Sequence, residues 1–172
     1  MNWNFNYLAK VALGRPTCQL ASGARIGSKA RILNPRDSSR YIRVGRNTFV
    51  NGELCALPHG GDIDIGERCY IDVGVRIWSG ISIKIEDDVV IGPNVNIFDN
   101  ISHPLSATKR KEQAISIFTV GHPRDMKGLL LDKPIIIGRG TTIGTGAFVL
   151  RGAVVAPDSI VPPGTIVTKY FP

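Results

Sequence analysis

Aliphatic residues recur at every sixth position over much of the chain, often followed by glycine. The spacing runs through these sets: Ile26 and Ile32; Val44 and Val50; Ile65, Ile71 and Ile77; Ile85, Ile91 and Ile97; and Ile137, Ile143, Val149, Val155, Val161 and Val167. A period of six fits neither the 3.6-residue turn of an α-helix nor the two-residue alternation of a strand. It predicts a solenoid with three short flat faces per turn and about 18 residues in each coil.

Each six-residue unit of this solenoid is too small to fold alone. Its aliphatic residue points inward, and the glycine after it allows the chain to bend at a corner. Successive coils then stack through parallel β hydrogen bonds about 4.8 Å apart, and each fully buried aliphatic side chain contributes about 1.5–3 kcal/mol. The composition agrees, because hydrophobic residues make up 43% of the chain and aromatic residues only 7%.

The spacing is interrupted at several points. Two extra residues separate Ile77 from Ile85, which predicts a corner bulge, and short excursions precede Val44 and Ile65. The largest interruption, residues 98–136, predicts one long loop extruded from the solenoid. Loops of this length inside compact domains are usually functional.

We expect the whole chain, 1–172, to form a single domain. In this interpretation, residues 1–19 cap the N-terminal end of the solenoid, and residues 137–169 form its C-terminal coils.

Charge and cysteine content narrow the class of protein. The net charge of +7 suits an anionic partner such as a phosphate-rich cofactor, an acidic glycan, a nucleic acid or a membrane surface, and equally suits simple solubility. Cys18, Cys55 and Cys69 form no C-x-x-C pair, which predicts a reducing, cytoplasmic setting without disulfides. There is no long apolar run, so we expect no membrane span, and we expect no nucleic acid partner.

The glycine-containing units, together with "DNISHP" at the start of the long loop, resemble the bacterial hexapeptide-repeat acyltransferase family. The resemblance covers about residues 20–97 and 135–169, and is nearest to the galactoside and polysaccharide O-acetyltransferase branch. It implies an all-β, left-handed parallel β-helix. It also implies acetyl-CoA as co-substrate, no metal, and a homotrimer with active sites between subunits.

In that family a histidine followed by proline at the root of a long loop serves as general base, and the resemblance carries this role to His103. A sugar hydroxyl needs a group that titrates near neutral pH to accept its proton as it attacks a thioester. His122, also followed by proline in the loop, is the rival base. The basic run Lys109, Arg110 and Lys111 is either a solvated face or a guide for anionic ligands.

The resemblance also assigns residues to the acceptor. It places Asp72 near the base, where family members usually have asparagine. Asp99 and Asn100, beside the interruption, orient His103 or the acceptor, or simply form a turn.

On the cofactor side, the resemblance to the acetyl-CoA wall of these enzymes covers the last coils. The residues carried over are Thr145, Gly146, Ala147, Pro163, Gly164, Thr168 and Lys169. Independently of the family, Arg151 and Lys169 lie one coil length apart, so they are predicted to stack on one face. A CoA phosphate bridging two such cations, or plain solvation, would relieve their repulsion.

The sequence therefore predicts an acetyl-CoA-dependent O-acetyltransferase acting on a sugar hydroxyl, in capsule, O-antigen or exopolysaccharide biosynthesis. An amino-sugar N-acetyltransferase is the main alternative. A zinc enzyme like the γ-class carbonic anhydrases and a non-catalytic solenoid are weaker ones, because the chain lacks a close histidine pair and carries the long His-Pro loop.

Overall fold

The computed structural model describes residues 17–36 and 38–172. The predicted N-terminal cap at 1–19 lies almost wholly outside these described residues. Short strands wind through the described chain in this order: β1 Gln19–Leu20, β2 Arg25–Ile26, β3 Arg31–Leu33, β4 Ile42–Val44, β5 Phe49–Val50, β6 Glu53–Ala56, β7 Ile63–Ile65, β8 Tyr70–Ile71, β9 Arg76–Ser79, β10 Ile83–Ile85, β11 Val90–Ile91, β12 Asn96–Phe98, β13 Ile135–Ile137, β14 Thr142–Ile143, β15 Phe148–Leu150, β16 Val154–Val155, β17 Ile160–Val161, β18 Ile166–Val167 and β19 Tyr170–Phe171. A 3₁₀ helix, Ser39–Tyr41, precedes β4, and one α-helix, α1 Ala107–Thr119, lies between β12 and β13.

Every third strand pairs in parallel, which gives three sheets that form the faces of a prism. Sheet A contains β1, β4, β7, β10, β13, β16 and β19; sheet B contains β2, β5, β8, β11, β14 and β17; sheet C contains β3, β6, β9, β12, β15 and β18. The register places Ile71 beside Ile91, and Ile91 beside Ile143. The fold is a parallel β-helix, as the six-residue spacing predicted, and it is left-handed, as the family resemblance implied.

The inward columns are the aliphatic residues that the six-residue spacing marked. From Val44 onward each of them is buried, and most are fully inaccessible. The first coil is less covered, and Ile26 is 36% exposed. Leu54 departs from the spacing, because it reaches its buried place in sheet C four residues after Val50 rather than six.

All the insertions leave the prism at the same edge, where the chain passes from sheet C to sheet A; we call this the C–A edge. They are residues 34–41, 57–62, 80–82 and 99–134. Leaving at one corner keeps the three sheets in register, because each coil resumes on the next face. The insertions therefore stack on one another and build a surface that no single coil could provide.

The sequence predicted that the long insertion is a loop, but part of it is helical. It runs from 99 to 134, and α1 forms in its first half. The Ser106 side chain caps α1 by accepting a hydrogen bond from the Lys109 backbone N–H. Gln113 is the helix's buried residue. Across the described ranges, no helix has both the length and the apolarity to cross a membrane.

Candidate functional site at the C–A edge

Asp99 fixes the root of the long insertion. Its carboxylate is fully buried and accepts five hydrogen bonds of 2.6–3.0 Å. The donors are the Ser79 hydroxyl, the backbone N–H groups of Gly80, Ile81 and Ser82, and the Asn100 amide. Asp99 thus accepts hydrogen bonds from every backbone N–H group of the 80–82 bulge. These bonds occupy the carboxylate that was a candidate for orienting His103 or the sugar acceptor.

The chain turns sharply after Asp99 and brings His103 against α1. The Asn100 side chain accepts from the Ser102 backbone N–H (2.8 Å), and Ser102 takes a positive φ of 61°. His103 then lies with its Nδ1 atom 2.8 Å from Oε1 of Gln113, while its ring remains exposed. The Gln113 amide nitrogen donates to the Ser102 carbonyl at 3.2 Å.

A cavity of about 260 Å³ opens beside this pair. Two of the stacked insertions and strand β9 supply its walls: Leu57, Pro58, His59, Trp78, Asn100, Ser102, His103, Gln113, His122, Pro123, Met126 and Leu130. All three histidines of the chain therefore line one cavity. The rival bases His103 and His122 are both exposed, whereas His59 is nearly inaccessible.

His59 belongs to a contact that closes the floor of the cavity. Its Nε2 lies 3.4 Å from Oδ1 of Asp132, and both side chains are largely buried. The pair joins the 57–62 insertion to the returning arm of the long one. Gly61 allows the 57–62 insertion to lie close against the end of β9, because it has a φ of 96° and a Cβ there would collide with the Ser79 carbonyl oxygen.

Trp78 forms the aromatic wall. Its indole N–H donates to the Glu53 carboxylate (2.7 Å), and its ring packs on Phe98 with centroids 5.3 Å apart. These two contacts hold the ring in place beside His103. A fixed aromatic face next to an imidazole suits a flat, partly apolar group such as the face of a sugar ring.

Despite the three histidines, the residues described contain no group of three or more His, Cys, Asp or Glu side chains placed to hold a metal ion. The cavity walls instead offer imidazole, amide and apolar groups. Such walls can position an organic molecule and exchange a proton with it.

The predicted cofactor residues fall into two groups on different edges of the prism. Arg151, Thr168 and Lys169 lie on the C–A edge, above the cavity, between sheets C and A. Within residues 17–36 and 38–172, neither Arg151 nor Lys169 forms an ion pair with an acidic side chain. Two cations are thus available at that edge for an anionic group.

The second group lies on the edge between sheets B and C, which we call the B–C edge. Thr145, Gly146, Pro163 and Gly164 stack there, with the Gly164 N–H donating to the Thr145 carbonyl (3.0 Å). Ala147 directly follows Gly146, and its side chain is fully buried in the core.

Asp72 also lies on the B–C edge, two coils below Thr145. Its carboxylate accepts from the Val73 backbone N–H at 2.6 Å, and it is not among the residues that line the cavity. Within one chain, the outer face of sheet C separates Asp72 and the Thr145 group from His103.

Reasoning from the sequence missed Trp78, Gln113 and the place of His59. The signal for His59 was partial: the excursions after Ile32, Ile77 and Ile97 leave by one edge, but Leu54, which lies four residues after Val50 rather than six, hid that the 57–62 insertion leaves there too. No comparable signal marked Gln113, because α1 is mostly polar and exposed, with one buried side chain.

No protein-family model matches this sequence, and no curated protein matches it significantly. Solved structures do share its fold. A mutant of AntD, an N-acyltransferase from Bacillus cereus, in complex with dTDP and coenzyme A, has a TM-score of 0.69 at 15% identity, covering 94% of this chain and 79% of AntD.

Two further structures show the same architecture at low identity. AntD with dTDP and 3-hydroxybutyryl-CoA has a TM-score of 0.55 at 15% identity and covers 95% of this chain and 80% of that one. A maltose O-acetyltransferase from Clostridium difficile 630 has a TM-score of 0.51 at 18% identity and covers 100% of this chain and 70% of that one. These likenesses establish the β-helix fold.

Proposed function

We propose that this protein transfers an acyl group, with acetyl as the first candidate, from a coenzyme A thioester to a sugar hydroxyl. The observation that carries the proposal is the C–A edge cavity, where an exposed imidazole stands beside a fixed indole ring. Solved proteins of the same fold include acyltransferases that hold coenzyme A or 3-hydroxybutyryl-CoA, which supports the choice of donor.

In this proposal His103 is the general base. Its imidazole accepts the proton of the sugar hydroxyl as the oxygen attacks the thioester carbonyl carbon. The C–S bond then breaks, the sulfur of coenzyme A leaves and receives the proton, and an ester remains on the sugar. Asn100 and Trp78 border the sugar acceptor. Asp99 contributes indirectly, by holding the backbone at the root of the insertion that carries His103.

The cofactor residues support an active site made by two copies of the chain. The group of Thr145, Gly146, Pro163 and Gly164 on the B–C edge of one copy would face the C–A edge of the next copy. There Arg151 and Lys169 would bind the CoA phosphates. The outer face of sheet C is apolar in its last two coils, with Phe148 37% and Ile166 64% exposed, as a surface covered by a neighbour would be, whereas its lower coils carry Arg31, Glu53 and Arg76 in the same column. We therefore propose the homotrimer that the sequence predicted, with Asp72 contributed across the interface.

The class of acceptor has two candidates. A maltose O-acetyltransferase shares the fold, and so does AntD, an N-acyltransferase solved with dTDP-4-amino-4,6-dideoxyglucose. We propose a hydroxyl of a capsule, O-antigen or exopolysaccharide precursor in the cytoplasm, and an amino sugar as the second candidate. The same imidazole serves both, because it can accept a proton from either nucleophile.

The test is release of free coenzyme A thiol from acetyl-CoA in the presence of a panel of nucleotide sugars and oligosaccharides, with and without an amino group. His103→Ala should reduce turnover about 10²–10⁴-fold. We expect the β-helix to fold and CoA binding to be retained, because the His103 side chain lies outside the hydrophobic core.

His122→Ala is the matched control, because His122 lines the same cavity and is equally followed by proline. Loss of activity in His122→Ala with activity retained in His103→Ala would assign the base to His122. No thiol release with any acceptor would refute acyl transfer itself.

A further inference from the structure

The hydrogen bond between His103 and Gln113 decides which ring nitrogen of His103 carries a proton. Gln113 has one amide oxygen, which only accepts, and one amide nitrogen, which only donates. The Ser102 carbonyl, 3.2 Å from the Gln113 amide nitrogen, is an acceptor and therefore fixes the orientation of the amide. The oxygen of Gln113 must then face His103, as its 2.8 Å contact with Nδ1 shows.

An amide oxygen at this distance requires a proton on Nδ1. In the neutral ring the other nitrogen, Nε2, then has the free lone pair. We propose that Gln113 is a positioning residue that holds His103 in the Nδ1–H tautomer, so that Nε2 is the atom that accepts the substrate proton. The catalytic consequence rests on the proposed function, whereas the tautomer itself does not.

The placement of Gln113 supports this role. Gln113 is the buried residue of α1, while its neighbours on the helix are mostly exposed. Helices of about this length are marginal in water without tertiary contacts, so the contacts of Gln113 with His103 and Ser102 help to hold α1 in place. A neutral amide also fixes the tautomer without adding the negative charge that would favour the imidazolium form.

Few other charged groups face His103. The remaining titratable residues of the cavity wall are His59 and His122. His59 is engaged with Asp132, and on the helix side Arg110 donates to the Pro104 carbonyl at 2.9 Å. Gln113 is therefore the side chain that sets the ring orientation.

The first experiment measures the tautomer directly, in the folded protein with ¹⁵N-labelled histidine. Only three histidines contribute to the spectrum, and His103→Ala identifies the resonances of His103. At a pH where the ring is neutral, wild type should show His103 as the Nδ1–H tautomer, which is the minor form of free histidine. His103 in the Nε2–H form would overturn the proposal.

Gln113→Met supplies the second measurement, because methionine is similar in size but its thioether sulfur is only a weak acceptor for the Nδ1–H hydrogen bond. His103 should shift toward the Nε2–H tautomer, and kcat should fall about 10–100-fold, by analogy with the loss of partners that orient metal-bound imidazoles. Glu112→Met is the matched control, since Glu112 is exposed at the adjacent helix position. It should change neither quantity.

Gln113→Glu separates positioning from a merely structural role. Its carboxylate still accepts from Nδ1, so the tautomer should persist, and kcat should recover relative to Gln113→Met. The added negative charge should move the acid limb of the kcat/KM–pH profile to higher pH by about one unit.

An acid limb that stays at its wild-type pH in active Gln113→Glu would overturn the inference, as would an unchanged tautomer in Gln113→Met. If Gln113→Met does not fold, the wild-type spectrum decides. A protein with the expected tautomer but no acyl transfer would refute the proposed function alone.

Discussion

Replacing Asp99 with asparagine tests whether one buried carboxylate holds the long insertion on the prism. In Asp99→Asn the shape of the side chain is retained, but one acceptor oxygen becomes a donor NH₂. At Oδ1 this group would face the Gly80 N–H and the Asn100 amide. At Oδ2 it would face the Ser79 hydroxyl and the N–H groups of Ile81 and Ser82.

Either orientation of the new amide leaves at least two buried or part-buried donors without their acceptor. Each such donor costs about 1–3 kcal/mol, so the free energy of unfolding should fall by about 2–6 kcal/mol. For a chain of this size each kcal/mol corresponds to about 2–4 °C in Tm. We therefore expect Tm to fall by about 5–20 °C.

Thermal unfolding followed by circular dichroism gives the global effect, and limited trypsin digestion gives the local one. The long insertion carries exposed Lys109 and Lys111. Cleavage there should accelerate in Asp99→Asn, because the Lys133 backbone N–H, which closes the insertion on the Asp99 carbonyl, depends on the same anchor.

Asp72→Asn is the matched control. It makes the same chemical change in a half-exposed carboxylate that accepts one short backbone hydrogen bond, and it should cost less than about 1 kcal/mol. A Tm of Asp99→Asn within about 2 °C of wild type, with no faster cleavage of the insertion, would show that Asp99 does not anchor it.

Two further predictions use the cysteines and the C-terminal cations. Burial raises the pKa of the Cys18 and Cys69 thiols, and burial with the Glu53 carboxylate nearby raises the pKa of Cys55 to about 12. Because the thiolate is the reactive form, a disulfide reagent at pH 8 should label almost none of the three thiols in native protein and all three in unfolded protein. Rapid labelling of the native protein would contradict this prediction. Lys169→Ala should weaken coenzyme A binding about fivefold, equivalent to about 1 kcal/mol for an exposed charged contact, while leaving the affinity for 3′-dephospho-coenzyme A unchanged in calorimetry. Lys29→Ala, in an exposed N-terminal turn, controls for net charge, and equal losses for both ligands would remove Lys169 from the phosphate site.

The candidate site could be predicted only in part. The interruption after Ile97 marked His103, because a broken repeat is visible in the sequence itself. The bonds that serve His103 were not visible, since they connect it to a helix ten residues away whose pattern is mostly polar. Similarly, the sequence left it open whether Asp99 orients His103 or the acceptor or simply forms a turn, and the five donors that its carboxylate binds became visible only in the folded chain.

The sequence by itself determined the coil. A stack of short parallel strands needs an inward aliphatic side chain on each face of each turn, so the repeat is written directly into the spacing of Ile65, Ile71 and Ile77. Tertiary structure decided how the insertions meet. The cavity exists because two insertions far apart in the chain, 57–62 and 99–134, emerge at one edge and pack on one another. Such contacts depend on the stacking of whole coils, which local spacing does not encode.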